Sequence, residues 1–373
     1  MMKGDVQLSE QLGSDIVEYS RKARFAGVSA EEWTERLTNL IAAQPNISKP
    51  IEVRNVRPVA AAAGGSNGTM LFDTTYTENE ERKERSLVLR FLPAAGLFKT
   101  YDVRAQFELQ RALESTDVPV PAQIWLDEDG EYLKKAGYVM EQVRGTSTPM
   151  NWKASGLLVD SPPDVRRKMS LGWVHGIATL HDVDWKAQGL EWLQSRGPGS
   201  RPMEREINWY WESLVWAERG EYIDRLAPIR DWLIANEPDD YRVVLCHGDA
   251  NFGNYLYDDG ELTAMVDWEM AFIGAPETDV CFGRIGDESL QGDMPPPEGA
   301  LDYDDLYAEY ERVSGHKLQH MPYFEMFASY RGAVISVLAM NHFPPEILEK
   351  LMWALERSVT LCEGRARSMR INC

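Results

Sequence analysis

Residues 245–257 read L-C-H-G-D-A-N-F-G-N-Y-L-Y, and D-W-E follows at 267–269. Within this stretch Asp249, Asn254 and Asp267 offer three side chains with hard oxygen donors. An apolar run, Val243 to Cys246, leads into the first of them. Asp258-Asp259-Gly260 has the composition of a tight turn, and Leu262 to Val266 that of a second strand. The hairpin this predicts brings Asp249, Asn254 and Asp267 to one end. Carboxylate and carboxamide oxygens suit Mg²⁺, which takes one or two protein ligands and leaves the rest to phosphate oxygens and water. Phosphoryl transfer asks little covalent chemistry of a protein. It needs a carboxylate to accept or orient a hydroxyl proton and oxygen ligands to hold the metal on the phosphates. Taken singly, each residue is also an ordinary turn or strand-end residue. The combination and its spacing carry the specificity.

The pattern H-G-D-x-x-x-x-N, followed by a strand and D-W-E, resembles the catalytic segment of the aminoglycoside phosphotransferase and choline kinase superfamily. The resemblance covers roughly residues 52–365. It implies the fold of the eukaryotic protein kinases and transfer of the γ-phosphate of ATP, with Mg²⁺, to a small-molecule hydroxyl. It implies that Asp249 is the catalytic carboxylate and that Asn254 and Asp267 are the metal ligands. His247 matches a position that supports the catalytic loop, and Glu269 one near the metal. Asp279, in E-T-D-V, matches a buried aspartate that braces the loop, with a plain helix N-cap as the alternative.

The surrounding elements must position these groups. Residues 9–44 carry helical periodicity, with Ile16, Ala23, Trp33, Leu37 and Ile41 on it. Ile51 to Ala60, Thr69 to Tyr76 and Ser86 to Leu92 have strand composition, and T-E-N-E-E-R-K-E-R at 77–85 reads as a charged hairpin loop. Val103 to Leu113 is helical, and Tyr138 to Val143 is another strand. Beyond Gly145 the periodicity is mainly helical, interrupted by the β-rich island that ends at Asp267. The expected fold is α+β and bilobal. A helical extension spans 1–50, a small antiparallel β lobe 51–145, and a large, mainly helical lobe 146–373.

A nucleotide site needs backbone N–H groups and a cation near the phosphates. Gly64, Gly65, Ser66, Asn67 and Gly68 lie between two strands, where glycine lets backbone approach phosphate. No G-x-x-x-x-G-K-[ST] occurs. Arg90, in L-V-L-R-F-L, stands where most of the superfamily has lysine. Arginine is found there in the branch resembling kinase-like domains of acyl-CoA dehydrogenase fusion proteins, and its fork can grip phosphate oxygens in pairs. The usual glutamate partner of that cation aligns with Gln106, which cannot form an ion pair. The strand at 138–143 matches the hinge, where backbone groups near Glu141 and Val143 are expected to bond adenine.

The chain has 373 residues and a formal net charge of -20, which argues against broad nucleic-acid binding. Cys246, Cys281, Cys362 and Cys373 form no C-x-x-C pair, and no apolar run approaches membrane-spanning length. The residues at the start lack a secretory pattern. A cytoplasmic protein with no membrane partner is expected, and its oligomeric state is open. Of twelve tryptophans, Trp152, Trp173, Trp185, Trp192, Trp209, Trp211, Trp216 and Trp232 fall between 150 and 240. Most belong to a helical core. Met150, Trp152 and either Trp209 or Trp211 are candidates for lining an acceptor site suited to an amphipathic alcohol of hydroxyacyl-CoA type. An aminoglycoside acceptor would need carboxylates such as Glu204, Glu206, Glu212 and Asp302 to Asp305. A third class is a nucleotide-binding module with weak catalysis, favoured only by Gln106. A protein kinase is disfavoured, because neither D-F-G nor A-P-E follows.

Overall fold

The computed structural model describes residues 28–59, 68–92, 96–149, 151–342 and 345–371. The chain forms two compact units. One comprises residues 1–111 and 121–143, the other 112–120 and 144–373.

In the first unit, helix α1 (Ala30–Ala42) begins at Ser29, whose hydroxyl accepts the Glu32 N–H at 3.1 Å. Five strands follow: β1 (Ile47–Pro58), β2 (Gly68–Glu78), β3 (Glu81–Phe91), β4 (Gln123–Asp127) and β5 (Gly137–Glu141), with α2 (Val103–Leu113) between β3 and β4. They form one antiparallel sheet in the order β1-β2-β3-β5-β4. Alternation along β3 gives the sheet two buried faces. Leu87, Leu89 and Phe91 join Trp33, Leu37, Leu40 and Ile41 of α1. Val88 joins Tyr138 and Met140 against Val103 and Phe107 of α2.

Two sequence expectations change here. Residues 77–85 are not a loop. The strands continue to Glu78 and from Glu81, and only Asn79 and Glu80, at φ 49° and 69°, make the turn. Their charges sit on the outer face of a twisted hairpin, and a two-residue turn with positive φ matches that twist. The helix assigned to an extension is core instead, since α1 buries four large apolar side chains on the sheet. The part of that expectation before residue 28 lies outside the described residues.

The second unit holds β6 (Thr146–Ser147), α3 (Leu157–Asp160), α4 (Pro163–His181), α5 (Pro202–Trp216), α6 (Gly220–Ala235), β7 (Val244–Cys246), β8 (Tyr255–Asp258), β9 (Glu261–Met265), β10 (Phe272–Gly274), α7 (Glu277–Gln291), α8 (Tyr303–Ser314), α9 (Met321–His342) and α10 (Pro345–Ser368). Its strands form two small sheets, β6-β8-β9 and β7-β10. Helix α9 packs against α5, α6, α7 and α10, which explains why it is apolar on most sides. Residues 112–120, expected with the β lobe, belong to this unit. The Met265 N–H donates to the Pro119 carbonyl at 2.7 Å, holding this segment on the β-rich island. Among the described residues, no helix is long and apolar enough to cross a membrane.

Candidate active site

Strand β7 delivers the chain to His247 and Gly248, where it reverses. Asp279 holds this reversal. Its Oδ2 accepts the His247 N–H at 2.7 Å, and its Oδ1 accepts the Gly248 N–H at 2.9 Å. Asp279 is the third residue of α7, past Pro276 at the cap position, so it braces the loop rather than capping the helix. His181 Nε2 donates to the same Oδ2 at 3.1 Å, and Tyr310 OH pairs with His181 Nδ1 at 2.9 Å. Burial alone would raise the Asp279 carboxyl. The hydrogen bond and field of His181, with the field of Arg331, hold it below its ordinary value. The Cys246 thiol lies beside this pair, with donor atoms of all three residues within 4.8 Å of one another. Both His181 nitrogens and both Asp279 oxygens already have partners, so the cluster is a brace rather than a metal centre.

Gly248 sits at φ +83°, and a Cβ there would lie 1.9 Å from the Met270 carbonyl oxygen. Only glycine allows backbone to approach backbone this closely. The His247 ring is fully engaged. Its Nδ1 accepts the Asp249 N–H at 3.2 Å, so the proton resides on Nε2, which donates to the Val266 carbonyl at 3.0 Å. The ring also lies 4.5 Å from the Trp268 ring. With both nitrogens committed, His247 supports the loop, as its sequence position implied.

The Asp249 carboxylate is held from both sides. Asn251 Nδ2 donates to Oδ1 at 2.7 Å, and Asn254 Nδ2 donates to Oδ2 at 2.8 Å and to the Asp249 carbonyl at 2.9 Å. Asn251 also caps the one-turn 3₁₀ helix Phe252–Asn254 by accepting the Gly253 N–H at 2.8 Å. The Asn254 carbonyl takes the Val266 N–H at 2.9 Å, which places Asn254 beside the residue preceding Asp267. Asp267 itself adopts a left-handed conformation, φ 71° and ψ 59°, that turns the chain out of β9 into a second 3₁₀ turn, Trp268–Met270. Asp267 and Glu269 are both half-buried. Burial and the negative charge of Asp267 lift the Asp249 carboxyl above its ordinary value, against the opposing hydrogen bonds of Asn251 and Asn254. The hairpin thus gathers Asp249, Asn254 and Asp267 as its spacing predicted. Because Asn254 Nδ2 is committed to Asp249, its Oδ1 and the Asp267 carboxylate are the oxygens chemically suited to a hard cation.

Sequence reasoning missed His181, Tyr310 and Asn251. The first two reach the loop from distant helices. Asn251 occupies a variable position of the motif, and its value as an N-cap two residues before Gly253 was the available signal.

The nucleotide candidates all belong to the first unit. Gly64, Gly65, Ser66 and Asn67 lie outside the described residues, as does Met150. Gly68 opens β2 opposite Phe91, and a Cβ there would lie 2.4 Å from the Phe91 ring, so packing alone requires glycine. Arg90 and Gln106 are both buried. Arg90 shares its side of β3 with Val88, which is the side that α2, carrying Gln106, covers. Tyr138 OH lies 3.5 Å from Gln106 Oε1. The Glu141 N–H donates to the Ala122 carbonyl at 2.9 Å and the Gln142 N–H to the Ser86 carbonyl at 3.0 Å. Both amides are therefore committed within the unit, and the expected adenine contacts fall to the Val143 backbone and to carbonyls.

Residues 66–314 match the phosphotransferase enzyme family, APH, and the chain belongs to that family. A human relative, acyl-CoA dehydrogenase family member 11, is 29% identical over 222 residues, covering 58% of this chain and 26% of its own length. The Arabidopsis thaliana protein named probable acyl-CoA dehydrogenase IBR3 is 26% identical over 296 residues, covering 73% of this chain and 34% of its own length. The chain therefore spans about a fifth to a third of the length of the curated relatives it matches. Among solved structures, a Ralstonia eutropha JMP134 protein provisionally titled an aminoglycoside phosphotransferase aligns over 90% of this chain and 98% of its own, at TM-score 0.66 and 21% identity. The aminoglycoside phosphotransferase APH(4)-Ia, crystallised with AMP-PNP and hygromycin B, covers 85% and 95% at TM-score 0.53 and 16% identity. A Plasmodium vivax ethanolamine kinase covers 83% of each chain at TM-score 0.55 and 11% identity. At these identities the structures establish the kinase-like phosphotransferase fold, and the family establishes the class of small-molecule phosphotransferase.

Proposed function

We propose that the chain transfers the γ-phosphate of ATP to a hydroxyl of a small molecule, with Asp249 as the catalytic carboxylate and Asn254 and Asp267 as Mg²⁺ ligands. The observation that carries this is the Asn254 side chain. Its Nδ2 fixes the Asp249 carboxylate at 2.8 Å, while the backbone carbonyl of the same residue accepts the N–H of Val266, next to Asp267. Asp249, Asn254 and Asp267 thereby share one hairpin, which supports the reading of a base beside metal ligands. Asp249 accepts or orients the acceptor hydroxyl proton, and its raised affinity for protons favours that role. The metal, when bound, would neutralise charge on the transferring phosphoryl group. In the first unit, Arg90 is proposed to contact the phosphates and Gln106 to steady it in place of a glutamate. Gly64 to Gly68 are proposed to cover the phosphates, and the backbone at Glu141 and Val143 to flank adenine.

An amphipathic alcohol, of the hydroxyacyl-CoA type that the dehydrogenase-named relatives suggest, is the favoured acceptor. The acidic residues an aminoglycoside would need are largely occupied. Glu204 accepts the Ser200 N–H at 2.7 Å, Asp302 caps α8 through the Asp305 N–H at 2.9 Å, and Asp304 pairs with Arg284 at 3.1 Å. Glu206 is buried 3.6 Å from Arg196, and burial lifts its carboxyl.

ADP release against a panel of hydroxy compounds tests the assignment. Asp249→Asn should slow it by about 10²–10⁴-fold while leaving nucleotide affinity near wild type. If no acceptor stimulates ADP release and the variant matches wild type, the chain is a nucleotide-binding module instead.

A further inference from the structure

Phe252 lies between Asp249 and Asn254 in the chain and is buried. Its ring is clasped by two indoles. Trp173 of α4 stacks on it at 5.0 Å and 13°, and Trp152 packs at 4.6 Å. Trp173 is oriented by its N–H, which donates to the Ala250 carbonyl at 3.2 Å. Trp152 is oriented from further away, by Asp287 of α7. Its indole N–H donates to Asp287 Oδ1 at 3.0 Å, an oxygen that also accepts Gln291 Nε2 at 2.9 Å. Asp287 Oδ2 accepts Tyr303 OH at 2.8 Å and pairs with Lys153 Nζ at 3.4 Å. The backbone N–H of Lys153 donates to Gln291 Oε1 at 3.0 Å, and its ammonium lies over the Trp152 and Tyr303 rings at 5.4 and 5.7 Å.

Asp287 is 6% exposed, so a carboxylate with four donors has been taken out of water here. Such a group contributes little net stability over an apolar replacement, but a fully satisfied network fixes geometry. The geometry it fixes leads to the catalytic loop. The segment carrying Trp152 is already sewn to the catalytic hairpin by β6, where Thr146 and Ser147 pair with Tyr257 and Leu256. Asp287 then sets the indole, the indole sets Phe252, and Phe252 opens the 3₁₀ turn whose last residue holds the Asp249 carboxylate.

We propose that Asp287 is a positioning residue of the phosphotransfer site, acting through Trp152 and Phe252 on the Asp249–Asn254 loop. The inference rests on the phosphotransferase reading of that loop. Asp287→Ala, assayed well below its melting temperature, should lower kcat for ADP formation about tenfold or more with KM for ATP within about threefold. Trp152→Phe should lower kcat in the same direction, and the double variant should fall no further than Asp287→Ala, because both break one chain of contacts. Tyr303→Phe removes a bond from the same carboxylate without touching the link to Trp152, and should keep near-wild-type kcat. An equal loss in Tyr303→Phe, or multiplying losses in the double variant, overturns the proposal. If Asp287→Ala does not fold, the contrast between Trp152→Phe and Tyr303→Phe decides. A second readout needs no turnover. The fluorine resonance of 4-fluorophenylalanine at position 252 should move in Asp287→Ala and stay in place in Tyr303→Phe. A moved resonance in a protein that forms no ADP would overturn the phosphotransferase reading and keep the structural link. Unchanged kcat and an unchanged resonance in Asp287→Ala would overturn the link.

Discussion

Asn254 and Asp249 depend on each other through a single amide, and that dependence can be probed directly. Asn254→Asp would replace the Nδ2 donor, 2.8 Å from Asp249 Oδ2, with a second carboxylate. Two carboxylates this close cannot both ionise. The variant should melt below wild type at pH 7 and recover as pH falls and one carboxyl takes up a proton, which melting curves between pH 7 and 5 would show. Gly248 poses a steric version of the same question. Gly248→Ala should lose about 1–2 kcal/mol from its left-handed backbone alone, before counting the 1.9 Å approach to Met270. Urea unfolding measures the sum. The motif residues were legible because their spacing is local and their chemistry shared. His181 and Tyr310 were not, because nothing in a sequence marks which distant histidine a buried aspartate will meet. Asp287 was invisible for the same reason, since its donors come from 152, 153, 291 and 303.

At the scale of elements, α1 and α7 carry the most consequence. Trp33, Leu37, Leu40 and Ile41 are each at most 1% exposed. Burying each contributes about 1.5–3 kcal/mol, and the four together rival the roughly 5–15 kcal/mol that separates folded from unfolded domains. A chain truncated at Ile47 should therefore fail to fold its first unit, read as lost near-ultraviolet circular dichroism. The helical period of α1 was plain in the sequence. Its membership of the β unit was not, because periodicity shows that a face is apolar and not what covers it. The charged segment at 77–85 misled in the opposite way, since composition outweighed the alternation that keeps Tyr76 inside. In α7, Asp279→Asn should cost about 3 kcal/mol or more, as expected when a buried charged network loses one partner. Asp279 is held below its ordinary value of 3.8, so its stabilisation is complete above that pH and is lost as pH falls through the lower folded value. The gap between variant and wild type should therefore close in acid, as urea midpoints from pH 7 to pH 3 would show.

For the whole molecule, belonging to the phosphotransferase family leaves nucleotide and acceptor to be measured. If ATP binds with Mg²⁺, nucleotide at about 100 times its Kd should stabilise the fold by about 2.7 kcal/mol. Asp267→Ala should retain only the part of that stabilisation seen without Mg²⁺. Retained magnesium dependence would remove Asp267 from the metal site. The two-unit α+β organisation was readable from the switch of period near residue 145. The assignment of 112–120 to the second unit was not, because it depends on partners distant in the chain, such as Met265, whose N–H donates to the Pro119 carbonyl, and Gln188, which accepts from Ser115.

The touch between Gly248 and the Met270 carbonyl also bears on how such a chain can diversify. At that point main chain rests on main chain, and no compensating change in a neighbouring side chain can make room. A library randomised at 248 and selected for function should return glycine alone. Helices α5 and α8 to α10 take no part in that contact, so their exposed faces could be rewritten while this fulcrum stays fixed.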